Sequence, residues 1–323
     1  MVVASATTER GRAIVSARRD AADALGREAG ELVADPARVA AHLRVGLAVL
    51  ADPEYLEGAR RIAPGIGAIL GVRNPLLTAV SGGLRAATRR DSATTLLEVA
   101  DRLLREELLE LHWIAYPFLE RAIGPEPELA WQLVRAEASR AGDWITVDSL
   151  AHVVGRGILA EPFRWAELEQ LVYSPSRWER RLVGSTVATI PFVDRRLGRV
   201  PEIARRGLGL VGDLIGDAAP DVQKALSWAL RNMTFVDEVA VAAFMRTEAE
   251  RAAATGDGHR AWVVRDALPK LPEQTAAELR AVVDGVRRRP GAPSTSRAAE
   301  TAASFSGLGL TVPPADRPVV FRS

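Results

Sequence analysis

The sequence predicts an all-α protein, and three observations lead to this class. Apolar residues recur at i, i+3, i+4 and i+7 in segment after segment, which is the spacing of one helix face. Few segments alternate with the period of two that marks a strand. Very short turns containing Pro, Gly or Asp separate the segments. This pattern favours antiparallel helical pairs stacked into an α-solenoid of HEAT type; an irregular all-α bundle is the alternative.

The turn sequences place fifteen helices in order along the chain. DPAR, DPEY and GPEPE mark boundaries in the first half, and AEPF, SPSR, DAAPD, TGDG and KLPE mark those in the second. The predicted helices cover residues 5–33, 36–51, 53–69, 74–88, 92–105, 106–122, 127–140, 144–156, 163–173, 176–190, 196–213, 219–232, 234–253, 257–268 and 272–288.

The helical pattern stops near residue 289, which sets the predicted domain boundary. Residues 1–289 form one helical repeat domain. Residues 290–323 are rich in Pro, Ser, Gly and Thr and keep no helical period. We expect a linker and tail there, disordered or draped over the body, whose PVVFRS fragment could dock as an extended segment.

The composition excludes several classes of site. The chain has 323 residues, a net charge of +1 and no cysteine, so disulfides, zinc–thiolate sites and iron–sulfur clusters are excluded. The four histidines lie far apart, and we expect neither a metal nor a cofactor. The N-terminus lacks the apolar core of a signal peptide, and no uncharged apolar run reaches 18 residues. We therefore expect a cytoplasmic protein without a membrane span.

Three helical segments each carry a Trp followed three or four residues later by an ionisable side chain. The pairs are Trp144–Asp148, Trp178–Arg181 and Trp228–Arg231. Within a helix, each pair shares one face. Between residues 177 and 206, eight arginines stand against three acidic residues. A single such pair is more often a core Trp with an Arg that reaches solvent. Three pairs in neighbouring repeats predict a concave basic face suited to nucleic acid.

Five motifs, in this order, resemble the DNA alkylation repair glycosylases of AlkD type, a family of HEAT-like repeats. GVRNP (71–75) is similar to the family's early turn, and REELLELHWIAYPFLE (105–120) to the helix that follows it. DWITVDS (143–149) resembles the active-site segment, RWERRLV (177–183) the segment with an essential Arg, and KALSWALRN (224–232) a late W-x-x-R helix. The resemblance covers roughly residues 50–270.

The resemblance implies roles for particular residues. Asp148 corresponds to the catalytic acid, Trp144 and Trp228 to the tryptophans that flank the lesion, and Arg181 to the active-site Arg. Arg231 corresponds to a backbone-contacting Arg. We also expect three further basic residues to contact DNA: Arg177, Arg180 and Lys224. Two positions depart from the family: Ile62 stands where a Tyr can face DNA, and a Lys after the active-site Arg is replaced near Thr189.

The implied chemistry explains an acid beside a Trp. An N3- or N7-alkylated purine is cationic and leaves without protonation, so one carboxylate suffices to stabilise the positive charge that grows on the deoxyribose. Electron-rich indoles add cation–π contacts. Lysine is scarce and Lys224 is the only candidate amine, which predicts a monofunctional glycosylase. We expect a monomer that acts on alkylated purines in double-stranded DNA. The alternatives are a non-catalytic HEAT-like DNA-binding module and a protein–protein scaffold.

Overall fold

The computed structural model describes residues 6–305 and confirms the all-α class. These residues form fifteen α-helices and two short 3-10 turns, with no β-strand beyond an isolated bridge between Ala68 and Leu108. They divide after Glu137 into two compact units. No helix within residues 6–305 is long and apolar enough to cross a membrane.

The helices follow the predicted order closely in the first half. Several begin after an Asp or Ser that caps the first amides, with Pro at the first helical position of two of them. Their bounds are α1 Ala6–Gly30, α2 Pro36–Leu50, α3 Pro53–Ile62, α4 Asn74–Ala87, α5 Ala93–Leu104, α6 Leu109–Ala122 and α7 Pro127–Arg140.

The second half holds eight further helices. Their bounds are α8 Trp144–Ala160, α9 Trp165–Leu171, α10 Arg177–Val193, α11 Pro201–Leu214, α12 Pro220–Thr255, α13 Gly258–Ala267, α14 Glu273–Val282 and α15 Arg297–Phe305. The 3-10 turns are Pro162–Arg164 and Leu268–Lys270.

Several boundary predictions were wrong, and the helix predicted over 144–156 runs on to Ala160. The helix predicted over 53–69 ends at Ile62, because Gly65 takes a φ of +90° that a helix cannot continue through. The helix predicted over 272–288 ends at Val282, shortly before Gly285 at φ +75°. The helix predicted from 196 begins at Pro201. The two helices predicted at 219–232 and 234–253 are present as two helical stretches of α12, but the break lies at Asp237 and not at residue 233.

The kink in α12 lies at Asp237, whose φ of −154° and ψ of 91° are not helical. The carboxylate of Asp237 accepts a hydrogen bond from the backbone amide of Ala240, at 2.9 Å. It therefore caps the second half of α12 as an Asp at a true helix start would. The chain changes direction here without an intervening loop.

In the first unit, α1 packs along α4 at close range. A Cβ on Gly26 would collide with the carbonyl oxygen of Val80, and one on Gly83 with that of Asp23. Glycine at both positions lets the two backbones approach more closely than any other residue would allow.

In the second unit, α8, α10, the first half of α12 and α13 form a row of parallel helices. Residue numbers rise together across each packed pair. Between α8 and α10, Asp148 contacts Arg181 and Ala151 contacts Thr189. Between α10 and α12, Gly184 lies against Ala225 and Ala188 contacts Asn232. Between α12 and α13, Gln223 contacts His259 and Ser227 contacts Asp266. Parallel neighbours at regular intervals are the arrangement of a helical repeat, as the sequence predicted.

The sequence predicted no helix after residue 289, and this was wrong, because residues 290–305 contain the helix α15 after an extended stretch. Thr295 donates its amide to the carbonyl of Gly216 at 2.8 Å and its hydroxyl to the carboxylate of Asp257 at 2.5 Å. Arg297 contacts Asp213 at 3.0 Å. These bonds drape the segment over the second unit. The PVVFRS fragment lies outside the described residues, and the domain boundary at 289 stays a prediction.

Candidate active site

The carboxylate of Asp148 is positioned by a well-capped helix. Asp143 accepts hydrogen bonds from the amides of Ile145 and Thr146, each at 2.9 Å, and so starts α8 at Trp144. Val147 and Leu150 on either side are buried. Asp148 lies at the edge of this buried face, and its side chain is 20% exposed to solvent. The acid is thus held by the core but remains accessible.

Arg181 binds both oxygens of Asp148. Its Nε donates to Oδ1 at 3.0 Å and its Nη2 to Oδ2 at 2.7 Å, which is a bidentate pair. The Arg181 side chain is only 6% exposed. A fork of this kind fixes the plane of the carboxylate as well as its distance.

A third helix, α12, also binds the guanidinium of Arg181. Nη1 of Arg181 donates to the backbone carbonyl of Asp221, in the first turn of α12, at 2.6 Å. The approach of α10 to α12 depends on Gly184, where a Cβ would lie 2.9 Å from the Cβ of Ala225 and 3.0 Å from its carbonyl carbon. Three neighbouring helices therefore determine the position of one ion pair.

Ser185 completes the cluster, and the sequence analysis missed it. Its hydroxyl donates to Oδ1 of Asp148 at 2.6 Å, and the residue is fully buried. Ser185 follows Arg181 by one helical turn, so the two share a face of α10. That spacing was the available signal, but a Ser in an apolar helix has many ordinary roles.

The two candidate tryptophans are half-buried on accessible faces of the flanking helices. Trp144 precedes Asp148 by one turn on α8. Trp228 shares a face of α12 with the exposed Lys224 and the half-buried Arg231. Trp178 instead contacts Arg177, whose guanidinium carbon lies 4.8 Å from its ring centroid. Arg177 is 56% exposed and lies 3.6 Å from the carboxylate of Asp221.

Two of the basic residues proposed as DNA contacts are engaged within the protein. Arg180 donates to Asp217 at 2.7 Å and to the carbonyl of Ser174 at 2.8 Å. Arg231 contacts the carboxylate and the carbonyl of Asp266, at 2.6 and 2.7 Å. These contacts fix the two side chains in place. Each arginine could therefore bind a phosphate only through the N–H groups that its ion pair does not use.

Thr189, at the position where the family's Lys is replaced, is buried. Its hydroxyl donates to the carbonyl of Ala151 at 3.2 Å. A lysine here would have to leave the α8–α10 interface to keep its charge hydrated. Ile62, the other departure, is 64% exposed. Among residues 6–305, no group of three or more His, Asp and Glu side chains is placed to hold a metal ion.

Comparison with known proteins identifies the family of the chain. No curated protein matches the chain at a significant level. A family model described as DNA alkylation repair enzyme matches residues 43–271, well over half of the chain, and this range contains Asp148, Arg181 and Ser185. The chain therefore belongs to the DNA alkylation repair enzyme family, which acts in repair of alkylated DNA.

Proposed function

We propose that the protein is a monofunctional DNA glycosylase that hydrolyses the N-glycosidic bond of cationic N3- and N7-alkylated purines in duplex DNA. The observation that supports this most directly is the partly exposed carboxylate of Asp148, held by Arg181 and Ser185. A carboxylate in this state carries fixed negative charge at a place that a ligand can reach. Fixed charge of this kind stabilises charge that develops in a transition state.

The reaction needs one acid and one water. The bond between C1′ and the purine nitrogen breaks, and its electron pair leaves with the base, which becomes neutral. Positive charge develops on the deoxyribose, where the Asp148 carboxylate would stabilise it. Water adds its oxygen to C1′ and releases a proton, which Asp148 can accept and pass to solvent. The products are an abasic site and the free alkylpurine.

The neighbouring residues have distinct proposed roles. Arg181 and Ser185 hold the carboxylate in a fixed orientation, so that no reorganisation is needed as the bond breaks. Trp144 and Trp228 would flank the cationic nucleotide, each contributing roughly 0.5–2 kcal/mol through cation–π contacts. Of the basic residues, Arg177 and Lys224 are exposed and are the best placed to bind phosphate.

The test is release of 7-methylguanine and 3-methyladenine from methylated duplex DNA by the wild type and by Asp148→Asn. Asp213→Asn is the matched control, because Asp213 also pairs with an Arg but at the surface of the same unit. We expect release by the wild type and by Asp213→Asn, and loss of release in Asp148→Asn with DNA affinity retained.

Three other results would contradict the proposal or part of it. Tight, salt-sensitive DNA binding without release of either base would leave a bulky-adduct specialist or a non-catalytic binding module. Absence of DNA binding would instead favour a protein–protein scaffold. Borohydride trapping of a covalent DNA adduct, abolished by Lys224→Gln, would show a lyase and contradict the monofunctional assignment.

A further inference from the structure

Two exposed aromatic rings lie further along the helices that carry the candidate site. Phe192, near the end of α10, is 42% exposed, and Phe235, in α12, is 49% exposed. Their centroids are 5.6 Å apart and their planes meet at 78°, an edge-to-face pair. The two rings touch at the surface, so they form one continuous apolar patch and not two isolated exposed side chains.

Two cations flank this pair. The guanidinium carbon of Arg199 lies 5.3 Å from the ring centroid of Phe192 and 5.7 Å from that of Phe235. Its Nε donates to the carbonyl of Pro191 at 3.0 Å, which anchors it beside the rings. The ammonium of Lys270 lies 5.9 Å from the Phe235 centroid. Among residues 6–305, neither cation has a carboxylate within 4.0 Å, so both are available to an anionic partner.

Charged residues of both signs surround the pair. Arg195 and Arg196 are exposed in the turn after α10. Asp194 accepts hydrogen bonds from two backbone amides of this turn, and these amides lower the pKa of its carboxyl. Asp237 is occupied as the internal cap of α12, while Glu238 is exposed. These carboxylates keep their negative charge, but the two charged groups that contact the rings, Arg199 and Lys270, are both cations. An anionic polymer is therefore favoured over a neutral apolar partner.

Helical register connects the pair with the candidate site. Phe192 follows Ser185 by seven residues on α10, and Phe235 follows Trp228 by seven residues on α12. Seven residues are close to two full turns, so each Phe lies on nearly the same face as its partner, about 10 Å further along the axis. This distance corresponds to roughly three nucleotides of one DNA strand.

We propose that Phe192 and Phe235 form a wedge that inserts between stacked bases of duplex DNA near the lesion, while Arg199 and Lys270 bind the flanking phosphates. DNA is the partner that fits, because its apolar base faces and anionic phosphates alternate as the rings and cations do. Apolar side chains that enter a base step unstack it and kink the duplex. The position near the lesion rests on the proposed function; the insertion itself does not.

The test uses uncleavable probes, so that it is independent of excision. Two duplexes serve as probes, each with one tetrahydrofuran abasic site and one 2-aminopurine about three nucleotides away, on the 5′ side in one duplex and on the 3′ side in the other. Emission of 2-aminopurine rises when the base is unstacked. We expect the wild type to raise emission on one side, and Phe192→Ala/Phe235→Ala to lose this rise and at least about tenfold in affinity.

Phe163→Ala is the matched control, because Phe163 is 65% exposed and lies 5.0 Å from the guanidinium of Arg164 but sits outside the α10 and α12 faces. It should leave both signals unchanged. Arg199→Gln and Lys270→Gln should each reduce the salt dependence of binding by about one unit of slope, whereas the double Phe variant should not. The conservative pair Phe192→Leu/Phe235→Leu keeps the packing and should retain part of the emission signal.

The proposal is overturned if the wild type binds both probes without any change in emission, or if the double Ala variant keeps emission and affinity within about twofold. Concentration-dependent dimerisation that the double variant abolishes would also overturn it, by assigning the rings to a second copy of the chain. Emission changes in a protein that excises no base would instead refute the proposed function and leave the wedge standing.

Discussion

Glu110 in the first unit and Asp148 in the second each accept three hydrogen bonds, but from different kinds of donor. Glu110 uses a single oxygen, Oε1, to bind the backbone amides of Leu70, Gly71 and Val72 at 2.9, 2.9 and 3.4 Å. Asp148 uses both oxygens to bind a guanidinium and a hydroxyl. Glu110 is 1% exposed, whereas the Asp148 side chain is 20% exposed.

The comparison separates a structural carboxylate from a chemically available one. Burial raises the pKa of Glu110 even though three amides act in the opposite direction. Its contacts join the turn that contains Gly71, at φ +83°, to the first turn of α6. Glu110 thus connects the turn and the helix. Asp148 has a permanent cation beside it and an accessible edge, which is the state that the proposed reaction requires.

The largest effect should come from replacing each acid by its amide and measuring excision. Asp148→Asn removes the negative charge and should lower the rate of base release on the order of a thousandfold, about 4 kcal/mol of transition-state stabilisation. Glu110→Gln should leave the rate within about twofold, because its site faces the protein. Single-turnover base release measures both rates. An equal loss of rate in the two variants would show that Asp148 and Glu110 do not differ in their importance for excision.

The second effect concerns the free energy of unfolding and should come from replacing Glu110. Glu110→Ala removes the acceptor of three amides and should lower the free energy of unfolding by about 3 kcal/mol. Hydrogen exchange of the Leu70, Gly71 and Val72 amides should accelerate with it. Urea unfolding and exchange check this together; a change below about 0.5 kcal/mol with protected amides would show that the three bonds contribute little.

A third, smaller effect sharpens the description of the Asp148 cluster. Ser185→Ala removes one of three bonds to the carboxylate and should lower kcat about tenfold, or about 1.4 kcal/mol, with KM and affinity for uncleavable DNA unchanged. Thr186→Val is the control, because the buried Thr186 hydroxyl makes no hydrogen bond among the described residues. A matching loss of kcat in Thr186→Val would indicate general disturbance of α10.

The smallest effect is a pH dependence of stability that belongs to Glu110. Its folded-state pKa is raised above the ordinary value of 4.5. As the pH rises from about that value, the unfolded chain releases its proton first, so wild-type stability falls until the folded-state pKa is passed and is constant above it. Glu110→Gln should abolish this component. Its unfolding free energy, relative to the wild type, should increase between acid and neutral pH.

The sequence alone determined the local structure and the identity of the candidate acid. Periodicity and caps predicted the helix order, since both act between residues three or four apart. Two helices end earlier than predicted because of glycines with positive φ. Hydrophobic periodicity contains no information about backbone φ. The five ordered motifs singled out Asp148 and Arg181, which lie 33 positions apart and form an ion pair in the structure.

Only the tertiary structure decided which side chains meet. It brought Ser185 to Asp148, directed Arg180 and Arg231 to Asp217 and Asp266, and joined Glu110 to the Gly71 turn. It also placed two rings from different helices in contact at the surface. These contacts depend on the stagger and spacing of neighbouring helices, which packing at positions such as Gly184 determines. The spacing between helices is set by packing between segments that are far apart in the sequence. A local pattern of residue types therefore does not predict it.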